Sequence, residues 1–150
     1  PETAAPPPKP KAESLLTRVA KMSVPQRVQL AIKGAREERL LLIRDSNKVV
    51  QRAVVTSPRV TDNDIELIAA MRNVSDEVLR MIAGNRRYLQ SMPVVRNLVN
   101  NPRTPLDTAL ALSKHLFIND LKLLVANKNV SETLRRAAAR QVRQKQDKGS

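Results

Sequence analysis

One phrase in this chain occurs twice, and it limits the fold more than any other feature. Val50 to Arg59 reads VQRAVVTSPR, and 44 positions later Val94 to Arg103 reads VVRNLVNNPR. Six of the ten columns agree in kind: Val50/Val94, Arg52/Arg96, Val54/Leu98, Val55/Val99, Pro58/Pro102 and Arg59/Arg103. An apolar helical turn closed by Pro and recurring at a long offset is the mark of a stacked helical array.

The flanking text supplies the rest of the repeating unit. Ser23-Val-Pro25-Gln26 has capping-box spacing with Pro near the helix start, and it opens an apolar stretch that stops at Gly34. Ala35 to Arg44 reads as a second helix, ended by Asp45-Ser46-Asn47, and Lys48 to Ser57 as a third. The trio restarts at Thr61, with helices over Ile65 to Arg72, Val78 to Gly84 and Ser91 to Asn101. It restarts again at Thr104, with helices to His115, over Phe117 to Ala126, and from Ser131 to about Lys145. The starts Ser23, Thr61 and Thr104 are 38 and 43 residues apart. Glu13 to Met22 reads as a helix before the first trio, with Leu15, Leu16, Val19 and Met22 on one face. Helices of about ten residues are unstable alone in water, so each trio must bury its apolar face on the next. The expected fold is all-α: an α-solenoid of three three-helix repeats with an N-terminal capping helix.

Composition sets the character of that array. The 150 residues allow one ordinary domain, here residues 13–145. Apolar residues make up 41% but aromatics only 1%, so the core must be thin aliphatic layers between helices. Residues 1–12, PETAAPPPKPKA, read as a disordered, extended linker, and residues 146–150 as a disordered tail. Such an opening suits the C-terminal part of a longer protein, or a chain whose initiator Met has been removed. With no cysteine, disulfides, thiolate metal sites and iron–sulfur clusters are excluded. No apolar run approaches the roughly 18 residues of a membrane span, and no signal-peptide core is present, so a cytoplasmic address is expected.

The stretch Val95 to Pro105 carries the pattern [V/L]-R-x-[L/V/A]-[V/A]-x-N-P-x-T-P, and a short helix follows it. That pattern resembles HEAT/armadillo-type helical repeats, most nearly the leucine-rich-repeat-variant kind. Val94 to Ala126 and Val60 to Asn85 match best, and the likeness spans roughly residues 23–140. It implies the armadillo-like fold. Some variant-repeat proteins carry a cysteine-ligated cluster before the array, which this chain has no residues to bind. The general style is also similar to that of bacterial domains of uncharacterised function, which implies no mechanism.

In armadillo-like trios the third helix usually lines the concave surface. Its outward residues here are Arg52, Thr56 and Arg59; then Arg96, Asn100 and Arg103; then Arg136, Arg140 and Arg143. Each set has i, i+4, i+7 spacing, which places it on one side of a helix or its exit turn. Neighbouring helices pack about 8–10 Å apart, so stacking predicts a basic ladder. Arginine suits phosphate or carboxylate because its planar fork donates two hydrogen bonds at once. The alternative is an ordinary solvated face, since a repeated unit repeats its surface too. Asn97, Asn100 and Asn101 resemble the backbone-reading asparagines of armadillo grooves, and capping of helix ends is the competing role for Asn101. Lys48, Arg86, Arg87 and Lys128 form a second basic set at the edges between second and third helices. Tyr88 beside them is a stacking residue or a half-buried spacer.

Enzymatic readings find little purchase. The lone His115 ends a helix, where a cation complements the dipole. Asp62, Asp64, Glu66, Asp76 and Glu77 sit in first helical turns, and Asp107 is a cap. The three glycines form no Gly-rich phosphate loop, and the absence of Trp counts against a helical-repeat DNA glycosylase, which sets tryptophans beside an acidic residue at the lesion. No cofactor, metal or small-molecule substrate is expected. The net charge of +13 points instead to a polyanion. Nucleic-acid backbone, contacted without base readout, is the leading partner, and an acidic protein segment the alternative. Anionic membrane lacks an amphipathic helix with aromatic anchors.

Overall fold

The computed structural model describes residues 14–148, which form eleven α-helices and no strand. A short first helix, α1 (Leu15–Ala20), precedes α2 (Val24–Lys33), α3 (Arg36–Leu42) and α4 (Lys48–Val55). Then come α5 (Asp62–Ala69), α6 (Asp76–Ala83), α7 (Arg86–Leu89) and α8 (Met92–Asn100), followed by α9 (Leu106–Ser113), α10 (Ile118–Val125) and α11 (Glu132–Lys148). The linker expected over residues 1–12 lies outside the described residues. Residues 146–148, expected in a tail, continue α11, and residues 149 and 150 lie outside the described residues.

The helix starts obey the local chemistry of the sequence. Ser23 and Gln26 form a reciprocal capping box, and Thr61 and Asp64 form another. Asn47, Ser75 and Asn85 cap α4, α6 and α7 through their side-chain oxygens. Gly34 ends α2 for a steric reason: a Cβ there would collide with the Leu30 carbonyl oxygen.

One helix has no counterpart in the other two trios. Between α6 and α8 the expected loop forms α7, and this corrects the reading of Tyr88. The side chain is buried, and its hydroxyl donates to the Val55 carbonyl at 3.0 Å, at the end of α4. Burial pushes the phenol above its usual pKa. A ring so placed supports the α4 terminus and is unavailable for stacking on a ligand.

The core is one continuous aliphatic cluster. Val50, Val54, Val94, Leu98, Leu134 and Ala138 are all buried, as the phrase requires of its apolar columns. Equivalent packings recur along the chain. The first helix of each trio lies on the third (α2 on α4, α5 on α8, α9 on α11), and each third helix meets the next second helix (α4 with α6, α8 with α10).

Between α3 and α5 the join is ionic and buried. Arg39 NH2 lies 2.9 Å from Asp64 Oδ2, its NH1 donates to the Gly34 carbonyl at 2.9 Å, and Arg36 Nε stands 3.2 Å from Asp64 Oδ1. Asp64 also closes its own capping box. Burial raises the Asp64 pKa, but the Thr61 N–H bond and Arg39 outweigh it and hold the carboxyl below its ordinary value of 3.8. Replacing Asp64 by Asn strands Arg39 without its countercharge and should cost about 3–5 kcal/mol at neutral pH, read as a lower melting temperature. The depressed pKa also fixes the pH dependence. The parent keeps this contribution above about pH 4 and loses it as pH falls through the folded value, whereas Asp64→Asn lacks that acid-side slope.

Candidate polyanion interface

The buried columns of α4, α8 and α11 turn the intervening arginines outward, and the structure gives most of them carboxylate partners. Arg52 NH2 reaches Glu77 Oε1 at 2.8 Å, with Lys48 Nζ at 3.5 Å from the same carboxylate. Arg96 NH1 lies 3.7 Å from Asp120 Oδ1. Both pairs run from a third helix to the first turn of the next second helix, so they are the same joint used twice. Arg103 stands 3.7 Å from Asp76, and Arg136 pairs at 2.8 Å with Glu132 one turn earlier in its own helix. Among the described residues, Arg59, Arg140 and Arg143 have no carboxylate within ion-pair reach. Glu77 sits below the usual carboxylate range, chiefly because Arg52 hydrogen-bonds to it, with Lys48 adding to the effect.

The ladder arginines are paired but not buried. Their side chains stay 57% (Arg52), 43% (Arg96), 52% (Arg103) and 75% (Arg136) exposed. Arg103–Asp76 and Arg136–Glu132, exposed at both ends, contribute about 0–1 kcal/mol, so a denser anion can displace those carboxylates at little cost, whereas Glu77 and Asp120 are only 33% and 16% exposed.

The asparagines depart from the groove-reading expectation, because all three are spent on internal bonds. Asn97 Nδ2 donates to the Glu66 carbonyl at 2.9 Å. Asn100 Nδ2 donates to the Arg96 carbonyl at 2.9 Å and its Oδ1 accepts from Asn127 Nδ2 at 2.9 Å. Asn101 is buried; its Nδ2 donates to the Ala69 and Met71 carbonyls, each at 2.8 Å, and its Oδ1 accepts from Arg103 N at 2.9 Å.

That last position is a recurring tie. Five residues after each ladder arginine stand Ser57, Asn101 and Gln141, and each reaches the end of the first helix of its own trio. Ser57 Oγ donates to the Ile32 carbonyl at 3.0 Å, and Gln141 Nε2 to Ser113 Oγ at 2.9 Å. The second basic set is dispersed: Lys48 on α4, Arg86 and Arg87 on α7, and Lys128 between α10 and α11, all exposed, with no bond joining them to one another.

A groove of about 600 Å³ between α9 and α11 is a feature the sequence reading missed. Lys114, Arg140, Lys145 and Lys148 line it, with Gln144 among them and Leu110 and Ala137 as apolar wall, and no carboxylate lines it. Extending α11 to Lys148 is what builds it, so a helix expected to stop near Lys145 could not reveal it. The available signal was the i, i+4, i+8 spacing of Arg140, Gln144 and Lys148.

Among the described residues no helix is long and apolar enough to cross a membrane, and no group of three His, Cys, Asp or Glu side chains could hold a metal ion. Comparison with family models, curated proteins and solved structures finds no match to the chain.

Two measurements check this assignment of roles. Asn101→Ala orphans two carbonyls and an N–H, and should cost about 1–3 kcal/mol in denaturant unfolding. Glu77→Gln removes only an exposed pair and should leave the midpoint near that of the parent.

Proposed function

We propose that the chain is a non-catalytic α-solenoid that binds the backbone of a nucleic acid, without reading its bases, in the cytoplasm. The array would comprise three three-helix repeats behind α1, of the HEAT/armadillo kind and nearest the leucine-rich-repeat-variant type. Recurring helix pairings and the ties at Ser57, Asn101 and Gln141 support that architecture.

One observation carries the activity: the outward arginines of α4, α8 and α11 keep between 43% and 75% of their side chains exposed even where a carboxylate meets them. A polyphosphate chain therefore gains several charge-assisted bonds while disrupting pairs of little individual worth. Tyr88 is buried and Phe117 is the single exposed aromatic ring, so there is no platform on which successive bases could stack. Binding governed by phosphates follows, with counterion release as its main driving term. The same arginines already hold Glu77, Asp120 and Asp76, which favours an acidic protein segment as the second reading.

Titrating a fluorescent oligonucleotide at several salt concentrations separates the two. The affinity should fall linearly in log salt with a slope of several counterions, with little dependence on base composition. Arg52→Glu/Arg96→Glu/Arg136→Glu should weaken it by about tenfold or more, which is about 1.4 kcal/mol for each decade, while helicity is retained. A protein that ignores DNA and RNA at low salt, yet retains one acidic partner, would remove the nucleic-acid reading.

A further inference from the structure

We infer that the groove between α9 and α11 is the seat of the phosphodiester backbone, with the ladder arginines serving as its outer approach. This inference rests on the polyanion-binding reading above and assigns the contact to a particular place. On α4, on α6 and in the turn after α8, outward cations stand beside carboxylates: Lys48 and Arg52 with Glu77, Arg80 with Asp107, Arg103 with Asp76. The groove differs from those places, because four cations face it and no acidic residue does.

Its walls are chemically distinct. Lys114, at the end of α9, stands on one side. On the other, Arg140, Gln144 and Lys148 follow one another at four-residue intervals, a stripe about 12 Å long at 1.5 Å rise per residue. That length suits a run of consecutive charges better than one isolated anion. Arg140 contributes a planar fork, the lysines contribute compact ammonium groups, and Gln144 adds a neutral donor.

The groove is also braced before any ligand arrives. Gln141 Nε2 is bonded to Ser113 Oγ at 2.9 Å, and Lys145 Nζ donates to the Leu116 carbonyl at 2.8 Å. These bonds pin α11 to the C-terminal end of α9 and cover part of the negative end of that helix, which would otherwise repel an anion. An ammonium has three donors, so Lys145 keeps two beyond the one given to Leu116. Leu110 and Ala137 supply an apolar wall with no aromatic face, so the contact is to sugar and phosphate rather than to stacked bases.

The test compares charge-neutral variants of the full chain. Lys114, Arg140 and Lys148 are exposed and have no ion pair among the described residues. Lys114→Gln/Arg140→Gln/Lys148→Gln should therefore keep the parent melting temperature. With a fluorescent oligodeoxythymidine as probe, this variant should lose about two units of the log-affinity against log-salt slope, about 0.7 for each single-strand phosphate contact removed. Arg52→Gln/Arg96→Gln, which removes outward arginines remote from the groove, should lose a smaller part of the slope. If the groove variant binds with the parent slope while the ladder variant does not, the groove assignment is overturned and the polyanion reading stands. If the parent shows no salt-dependent binding, both fail. Displacement of the probe by polyglutamate at equal charge concentration would overturn the phosphodiester assignment in favour of an acidic protein segment.

Discussion

Helices of four to ten residues have as much end as middle. Each leaves about four N–H groups and four carbonyls without an intrahelical partner, so in α2 to α10 the unsatisfied groups rival the satisfied ones in number. The structure depends on how these ends are met. Ser23, Asn47, Thr61, Ser75 and Asn85 supply acceptors at the starts, and side chains from neighbouring helices supply donors at the finishes. Ser57, Asn101 and Gln141 reach the ends of α2, α5 and α9, and the Tyr88 hydroxyl meets the end of α4. The third helix of each trio is thereby fixed against the first at the point where the phrase turns. Aliphatic layers supply the drive for assembly, and these polar ties set the register in which the layers meet.

Much of this was legible in the sequence because the phrase records both halves of the interaction. Its Val and Leu columns mark the buried side, and the arginine column marks the outward side. Starts were readable from capping residues, since those contacts are local. What could not be read was the contact partner across trios. Glu77 and Asp120 look like ordinary first-turn acids, and nothing at short range says that Arg52 and Arg96 will reach them 25 and 24 residues away. Asp64 presents the same problem more acutely: its capping role is local and visible, whereas its burial against Arg39 arises only when α3 meets α5. Asn101 was half legible, as a helix-end residue, without its bonds to Ala69 and Met71. The helix at Arg86 to Leu89 escaped notice because four residues give no periodicity.

The charge distribution follows from those joints. A chain with 27 basic and 14 acidic side chains cannot neutralise itself, and four of its carboxylates, Asp64, Glu77, Asp107 and Asp120, pair with arginines of an earlier trio. The remaining cations collect away from the joints, on α7 and along the outer length of α11. Electrostatics here divides its labour between cohesion at the seams and attraction elsewhere.

The seams are unequal. α3 and α5 are joined by a sequestered ion pair, while the corresponding link from α6 to α9, Arg80 with Asp107, lies in solvent at 3.3 Å with both side chains more than half exposed. Losing the Arg80–Asp107 link would therefore cost much less than losing Arg39–Asp64. Added salt would loosen the open link between α6 and α9 while leaving the one shut away between α3 and α5 almost untouched.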